Sequence, residues 1–134
     1  MDFAFSEEEL GFRREVEVFA REELPADWDD RALYWPAGYG TMSNFEAEFK
    51  PLCDQFMRKM GKRGWLSIGW PVEYGGMHSM MKQAILDDVL TYYRAPSGEV
   101  STIIGGHTII GVGSDEMKRK WLPRLAAGAV SAFA

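Results

Sequence analysis

Apolar residues recur three or four positions apart along most of this sequence, in runs that end at proline or glycine. That spacing places apolar side chains on one face of an α-helix, and no strong pattern of alternating apolar and polar residues indicates a half-buried strand. The length of 134 residues suits a single domain. The pattern therefore predicts an all-α fold, a helical bundle of about five helices.

Capping residues and helix breakers give the limits of these helices. The predicted helices run from Ser6 to Glu23, from Pro51 to Gly61 or Gly64, from Met81 to Arg94, from Ser97 to Gly111 or Gly113, and from Ser114 to Gly128. Ser6 and Glu9 form a capping box, and Ser43 and Glu46 form a second one. Residues 25–42, with two prolines and two glycines, are typical of a long connection whose aromatic side chains pack on the core.

The spacing also assigns inward faces to the last two helices. These faces hold Val100, Ile103, Ile104 and His107 in the fourth helix, and Met117, Trp121 and Leu125 in the fifth. Since no other metal-ligating residues accompany His107, we expect a packed, hydrogen-bonded core histidine rather than a ligand.

The charge of the chain argues against several functions. Asp and Glu outnumber Lys and Arg by 20 to 15, and the formal net charge of −5 does not suit a protein that binds nucleic-acid phosphates. A basic cluster near a predicted helix end comprises Arg58, Lys59, Lys62 and Arg63. We expect a solvated face that suits the helix dipole there, with contact to an anionic ligand or partner as the alternative. No apolar run is long enough to span a bilayer.

No side chain marks a self-contained active site. Cys53 lies among Leu52 and Phe56, so a buried structural thiol is expected rather than a nucleophile. With two histidines and one cysteine, the chain lacks a convincing set of metal ligands. Gly111-Val-Gly113 has neither the third glycine nor the preceding strand of a dinucleotide-binding loop. We therefore assign no catalytic residue and no metal site.

The most specific segment is Gly64-Trp-Leu-Ser-Ile-Gly-Trp-Pro-Val-Glu-Tyr-Gly-Gly76. Pro71 fixes its own backbone angle and restricts Trp70, while paired glycines permit angles that other residues resist. The residue types alone predict a packed interhelical loop, with Trp65 and Trp70 anchoring it on the core.

Three motifs resemble those of the acyl-CoA dehydrogenase family. Gly69-Trp-Pro-Val-Glu-Tyr-Gly-Gly76 is similar to the Gly-Trp-Pro-x-x-Tyr-Gly-Gly segment of the N-terminal domain in that family, and Phe5-Ser-Glu-Glu-Glu-Leu10 is similar to its usual start. Residues 113–128 resemble the pattern Gly-Ser-x-x-x-Lys-x-x-Tyr/Trp-Leu-Pro-x-x-x-x-Gly. The motifs follow the order found in the family and cover nearly the whole chain.

The resemblance implies an FAD-dependent enzyme that oxidises an acyl-CoA thioester between its α and β carbons. Members have a helical N-terminal domain, a β-rich middle domain and a helical C-terminal domain that usually supplies the catalytic glutamate. They pass electrons to an electron-transferring flavoprotein or a similar acceptor. By this resemblance, residues 1–128 form the N-terminal domain and residues 129–134 begin the first strand of the middle domain. Alone, this fragment is expected to be inactive and to bind no FAD.

Four residues take roles from the resemblance. Phe133 resembles an aromatic position beside the flavin, and is the predicted cofactor-binding residue. The predicted substrate-binding residues resemble helix positions that line the acyl pocket: Val100, Ser101 and Ile104. A glycine pair, Gly105 and Gly106, follows them, and such a pair weakens a helix unless close approach offsets the loss. Either a neighbouring helix or the acyl chain could make that approach.

A stand-alone helical binding or scaffold module without catalysis is the competing interpretation. The unfinished strand at residues 129–134 favours the enzyme, because an orphan strand leaves backbone groups unpaired. An unrelated bundle would require three accidental motif matches. For the full-length enzyme we expect a homo-oligomer that binds no nucleic acid. A cytoplasmic location is favoured over the mitochondrial matrix, since no transit peptide is seen.

Overall fold

The computed structural model describes residues 5–28, 50–97 and 99–130, with the backbone alone at residues 99 and 100. Within these ranges the α-helices are α1 (Glu7–Glu23), α2 (Lys50–Lys62), α3 (Met80–Tyr92), α4 (His107–Val112) and α5 (Asp115–Ala126). A stretch of π-helix at Glu99–Gly106, here called the π segment, leads directly into α4. The ranges described contain no strand, and the prediction of an all-α bundle of about five helices is confirmed.

Several predicted features lie outside the described residues. They are the capping box of Ser43 and Glu46, residues 29–42 of the long connection, and residues 131–134 of the strand. The domain boundary after residue 128 therefore stays a prediction.

The predicted helix caps at Ser6 and Ser114, which lie within the described residues, are present. The Oγ of Ser6 accepts a hydrogen bond from the Glu9 N–H (3.2 Å), and the Glu9 carboxylate accepts one from the Ser6 N–H (2.7 Å). Ser114 caps α5 by accepting from the Met117 N–H at 3.3 Å. Ser79 caps α3 in the same way, although it was not among the predicted caps. Each such cap stabilises its helix by about 1 kcal/mol.

A first core cluster joins α1, α2 and α3 to the start of the loop that follows α2. Its buried members are Phe12, Val16, Phe19, Phe56, Met60, Trp65, Leu66, Ile68, Ile85, Leu86, Val89 and Leu90. Phe19 lies at its centre, with ring centroids 4.9 Å from Phe56 and 5.1 Å from Trp65. Burial of one such side chain stabilises the fold by about 1.5–3 kcal/mol, so this cluster fixes how the three helices pack.

A second core cluster forms around α5 and consists of Trp70, Leu122 and Leu125, with partly buried neighbours from α4. Leu125 points inward as predicted. Met117 is 45% exposed, so its predicted inward position is wrong. The buried stripe of α5 runs through Leu122, Leu125 and Ala126 at helical spacing, and this stripe turns Met117 toward solvent.

The fourth predicted helix differs most from its prediction. It was expected to be one α-helix, but Glu99–Gly106 forms the π segment and only His107–Val112 is α-helical. Hydrogen bonds from i to i+5 close a wider turn than those of an α-helix, so residues four apart no longer stack as α-helical spacing assumes. His107 is exposed, and the prediction of a core position is wrong. Its Nδ1–H donates to the Ile103 carbonyl at 2.7 Å.

Helix α2 and the end of α5 meet at backbone distance. A Cβ added to Gly61 would lie 2.5 Å from the carbonyl carbon of Ala127, and one added to Gly128 would lie 2.6 Å from the carbonyl oxygen of Met57. Because neither position has space for a side chain, both must be glycine for the two elements to approach this closely.

We predict that Gly61→Ala destabilises the protein, although alanine is the better helix former. The added methyl overlaps the backbone at the end of α5, and such overpacking costs about 1–3 kcal/mol. Gly111→Ala in α4 is the control, because nothing lies within 4 Å of its added Cβ. It should be neutral or gain up to about 1 kcal/mol. Chemical denaturation measures both changes, and two variants of equal stability would contradict the contact.

Candidate functional site

The loop between α2 and α3 is closely packed, as predicted. All of residues 65–70 are buried. Ser67 Oγ donates to the carbonyl of Gly75 at 3.0 Å, and the His78 N–H donates to the carbonyl of Trp70 at 2.9 Å. Gly75 has φ +83°, which favours glycine, whereas a Cβ on Gly76 would overlap the Trp70 carbonyl and lie 2.6 Å from the Ser67 carbonyl oxygen. The two glycines thus serve different needs.

The side chain of Trp70 extends from this loop and packs on the π segment. Its side chain is 1% exposed, and its Nε1–H donates to the carbonyl oxygen of Thr102 at 2.9 Å. A Cβ on Gly106 would overlap the indole ring and lie 2.7 Å from its Cε2 atom. The close approach expected at this glycine therefore comes from the protein itself, through a loop tryptophan rather than a neighbouring helix.

One side of the π segment borders a cleft of about 270 Å³. The described residues that line it are Lys50, Asp54, Met57, Arg58, Ser101, Thr102, Leu125, Gly128, Ala129 and Val130. Lys50 and Asp54 form an ion pair across one turn of α2 at 2.7 Å. The cleft thus extends from Ser101 to Val130, three residues before Phe133 in the sequence.

The predicted site residues do not all lie together. Ser101 is 8% exposed and borders the cleft, whereas Ile104 is 63% exposed and is not among the residues that line it. Val100 belongs to the π segment, but its side chain is outside the description, and Phe133 is outside the described residues. Ser101 is therefore a buried residue of the cleft lining, whereas Ile104 is open to solvent in this chain.

The basic cluster is only partly a solvated face. The Lys59 ammonium pairs with the Glu23 carboxylate, and the Arg63 guanidinium lies 4.6 Å from the Phe19 ring centroid. Lys62 and Arg58 are exposed, and Arg58 also borders the cleft. Two of the four cations thus have partners within the fold.

Burial shifts the pKa of two groups among the described residues, Cys53 and Asp87. Burial raises the pKa of the Cys53 thiol to about 11, so the thiol stays protonated at neutral pH, as expected for a structural cysteine. Burial also raises the pKa of Asp87, whose Oδ1 accepts a hydrogen bond from Gln83 at 2.9 Å. Asp87 borders a small cavity beside Thr102 of the π segment. Sequence reasoning missed it, because a carboxylate in a helix carries no signal of burial.

Two other kinds of site, a metal centre and a membrane span, concern the part of the chain that the structure describes. That part contains no group of three or more His, Cys, Asp or Glu side chains placed to hold a metal ion. None of its helices has both the length and the apolar character needed to cross a membrane.

Comparison with known proteins places the chain in a family. The profile described as "Acyl-CoA dehydrogenase, N-terminal domain" matches residues 6–129. Acyl-CoA dehydrogenase FadE26 of Mycobacterium tuberculosis is 45% identical over 71 residues, which are 52% of this chain and 18% of that protein. An acyl-CoA dehydrogenase of Bacillus subtilis is 30% identical over 135 residues, covering 92% of this chain and 30% of that protein.

Solved structures agree with these relatives. The ChsE4–ChsE5 complex from Mycobacterium tuberculosis matches with a TM-score of 0.75 and 28% identity over 96% of this chain and 30% of that chain. The steroid ACAD Tcur3481–Tcur3483 matches with a TM-score of 0.76 and 29% identity over 98% of this chain and 32% of that chain. This chain belongs to the acyl-CoA dehydrogenase family and corresponds to its N-terminal domain. It spans between 13 and 30% of the length of curated relatives that it matches.

We predict that Gly76→Ala destabilises the protein more than Gly75→Ala does. At Gly75 the cost is that of a left-handed backbone in open space, about 1–2 kcal/mol. At Gly76 the methyl overlaps a buried backbone carbonyl, and a cost of about 3 kcal/mol or more is expected. Thermal or chemical denaturation of both variants gives the comparison. Equal losses would show that the backbone does not approach Gly76 this closely.

Proposed function

We propose that this chain is the N-terminal domain of an FAD-dependent dehydrogenase that oxidises an acyl-CoA thioester between its α and β carbons. The observation that carries the proposal is the family match over residues 6–129. In this proposal the π segment supplies part of the acyl-pocket wall through Val100, Ser101 and Ile104, and Phe133 contacts the edge of the flavin.

The cleft supports the assignment of Ser101. Ser101 and Val130 both line it, and Phe133, the proposed flavin contact, follows Val130 by three positions in the sequence. Met57, Leu125 and Val130 give the cleft an apolar part. Much of the rest of the lining is polar and includes Lys50, Asp54 and Arg58. An acyl chain would therefore contact the apolar part, which favours its transfer out of water.

FAD, when bound, would accept the hydride from the β carbon of the substrate. Of the residues proposed for this chain, only Phe133 is assigned a contact with that group, and it follows Val130 of the cleft lining by three positions in the sequence. What they would contribute is the exclusion of water and the orientation of the acyl chain, both of which favour reaction at a fixed geometry.

Finer features of the function are also proposals. An electron-transferring flavoprotein or a similar acceptor would receive the electrons, in a cytoplasmic pathway of fatty-acid or lipid metabolism. A homo-oligomer is expected. Assembly with a second, different dehydrogenase chain is the alternative, because one similar structure is a complex of two named proteins. An acyl group on a steroid is the more specific substrate candidate, because another similar structure is described as a steroid ACAD.

We predict that Ile104→Phe in the full-length protein lowers kcat/KM for long or ring-bearing acyl-CoAs about tenfold more than for short ones, because the added ring occupies pocket volume. Val112→Phe is the matched control, since Val112 is an exposed apolar residue eight positions further along the same helical run. Purified protein with FAD and a dye as electron acceptor gives the rates for a substrate series.

The measured rates distinguish a pocket residue from a structural one, and an enzyme from a module without catalysis. A uniform loss at every acyl length, accompanied by a lower melting temperature, would place Ile104 in a structural contact instead. A wild-type protein that oxidises no acyl-CoA would contradict the proposed function and favour a helical module without catalysis.

A further inference from the structure

The ring of Trp70 contacts the π segment at two points. The Nε1–H donates to the carbonyl of Thr102, the fourth residue of the segment, and the benzene side of the indole fills the space left by Gly106, the last residue. Ile104 lies between these two points in the sequence, and Ser101 is adjacent to the first. The backbone that carries Ser101 and Ile104, two of the three proposed pocket residues, is thus held from outside its own helix.

The other side of Trp70 is fixed by the loop. The backbone N–H of Trp70 donates to the Ser67 carbonyl at 2.9 Å, and the backbone carbonyl of Trp70 accepts from the His78 N–H at 2.9 Å. Its ring packs with Leu122 and Leu125 of α5 in the second core cluster. The indole therefore has little freedom to follow the π segment if that segment moves.

A π-helical stretch depends on such support. Helices with i to i+5 hydrogen bonds are rare, appear mostly as short insertions in α-helices, and are frequent at functional sites. Without the indole, the segment loses a buried hydrogen bond and a ring that excludes water from Gly106. Its backbone would then be free to adopt the α-helical spacing that the sequence alone predicts.

We propose that Trp70 is a positioning residue that sets the shape of the acyl pocket by holding the π segment. It acts through Thr102 and Gly106 on the positions of Ser101 and Ile104, without touching the substrate. This inference rests on the function proposed above, because it assigns an effect on acyl-CoA preference to a residue of the Gly-Trp-Pro loop.

Trp28 offers a closely matched control. Its side chain is 3% exposed, and its Nε1–H donates to the carbonyl of Tyr93 at 2.9 Å. Donor, acceptor type and distance match those of Trp70, although this hydrogen bond is part-buried and that of Trp70 is buried. The acceptor lies at the end of α3 rather than in the π segment. Trp28→Phe and Trp70→Phe therefore each remove one hydrogen bond from an indole N–H to a backbone carbonyl, and only the second removes a contact with the π segment.

The experiment compares wild type, Trp70→Phe, Trp28→Phe and Gly106→Ala in the full-length protein with FAD. Hydrogen exchange of peptides that cover residues 99–106 reports on the π segment, and kcat/KM for short and long acyl-CoAs reports on the pocket. Trp70→Phe should raise exchange in residues 99–106 about fivefold or more, as expected for one lost hydrogen bond. The ratio of long to short kcat/KM should change about tenfold.

Gly106→Ala should reproduce both effects from the other side of the contact, because its methyl displaces the indole. Trp28→Phe should lower the melting temperature by a similar amount and leave both the exchange of residues 99–106 and the substrate ratio unchanged. Equal effects of Trp28→Phe and Trp70→Phe on the ratio would overturn the proposal. So would a uniform loss of kcat/KM in Trp70→Phe.

Failure to fold also has a defined meaning. If Trp70→Phe does not fold, Gly106→Ala decides between the two results above. If neither variant folds while Trp28→Phe does, Trp70 is a core residue of the fold and the proposal is overturned. A wild type that oxidises no acyl-CoA instead removes the proposed function, whereas an active wild type with unchanged variant ratios removes only the role of Trp70.

Discussion

The indole of Trp70 connects parts of the fold that otherwise have separate cores. The buried run of residues 65–70 places Trp65, Leu66 and Ile68 in the first core cluster and Trp70 in the second. The same ring donates a hydrogen bond to the π segment, 32 residues further along the chain. Because a buried indole N–H without a partner is costly, this bond ties the position of the π segment to that of the loop.

Close backbone contacts make the arrangement specific. The end of α5 lies against α2 at Gly61, and the loop folds onto its own backbone at Gly76. At both positions even a single methyl group has no space, so this close approach requires glycine. The cleft that reaches Val130 is formed by these same elements, α2 and the end of α5, together with the π segment. The shape of the cleft thus depends on backbone packing contacts between these elements.

Local signals were sufficient for much of the fold. The capping box of Ser6 and the cap at Ser114 depend on residues within one turn, and a sequence displays them directly. The π segment could not be predicted in this way, because its support comes from Trp70, which is distant in sequence. The wrong inward position of His107 follows from the same cause, since it assumed α-helical spacing. For the site, Ser101 and Ile104 were predicted from the family resemblance, which could not show that Ser101 borders the cleft while Ile104 is exposed and outside its lining.

The central claim is that the π segment forms part of the acyl site while Trp70 holds it. A crystal structure of the full-length protein with FAD and a bound acyl-CoA analogue tests this most directly. The account predicts acyl carbons within about 4 Å of Ser101 or Ile104, with the Trp70 Nε1–H still bonded to the Thr102 carbonyl. An acyl chain bound away from residues 99–106, or an α-helical segment in their place with that hydrogen bond broken, would contradict it.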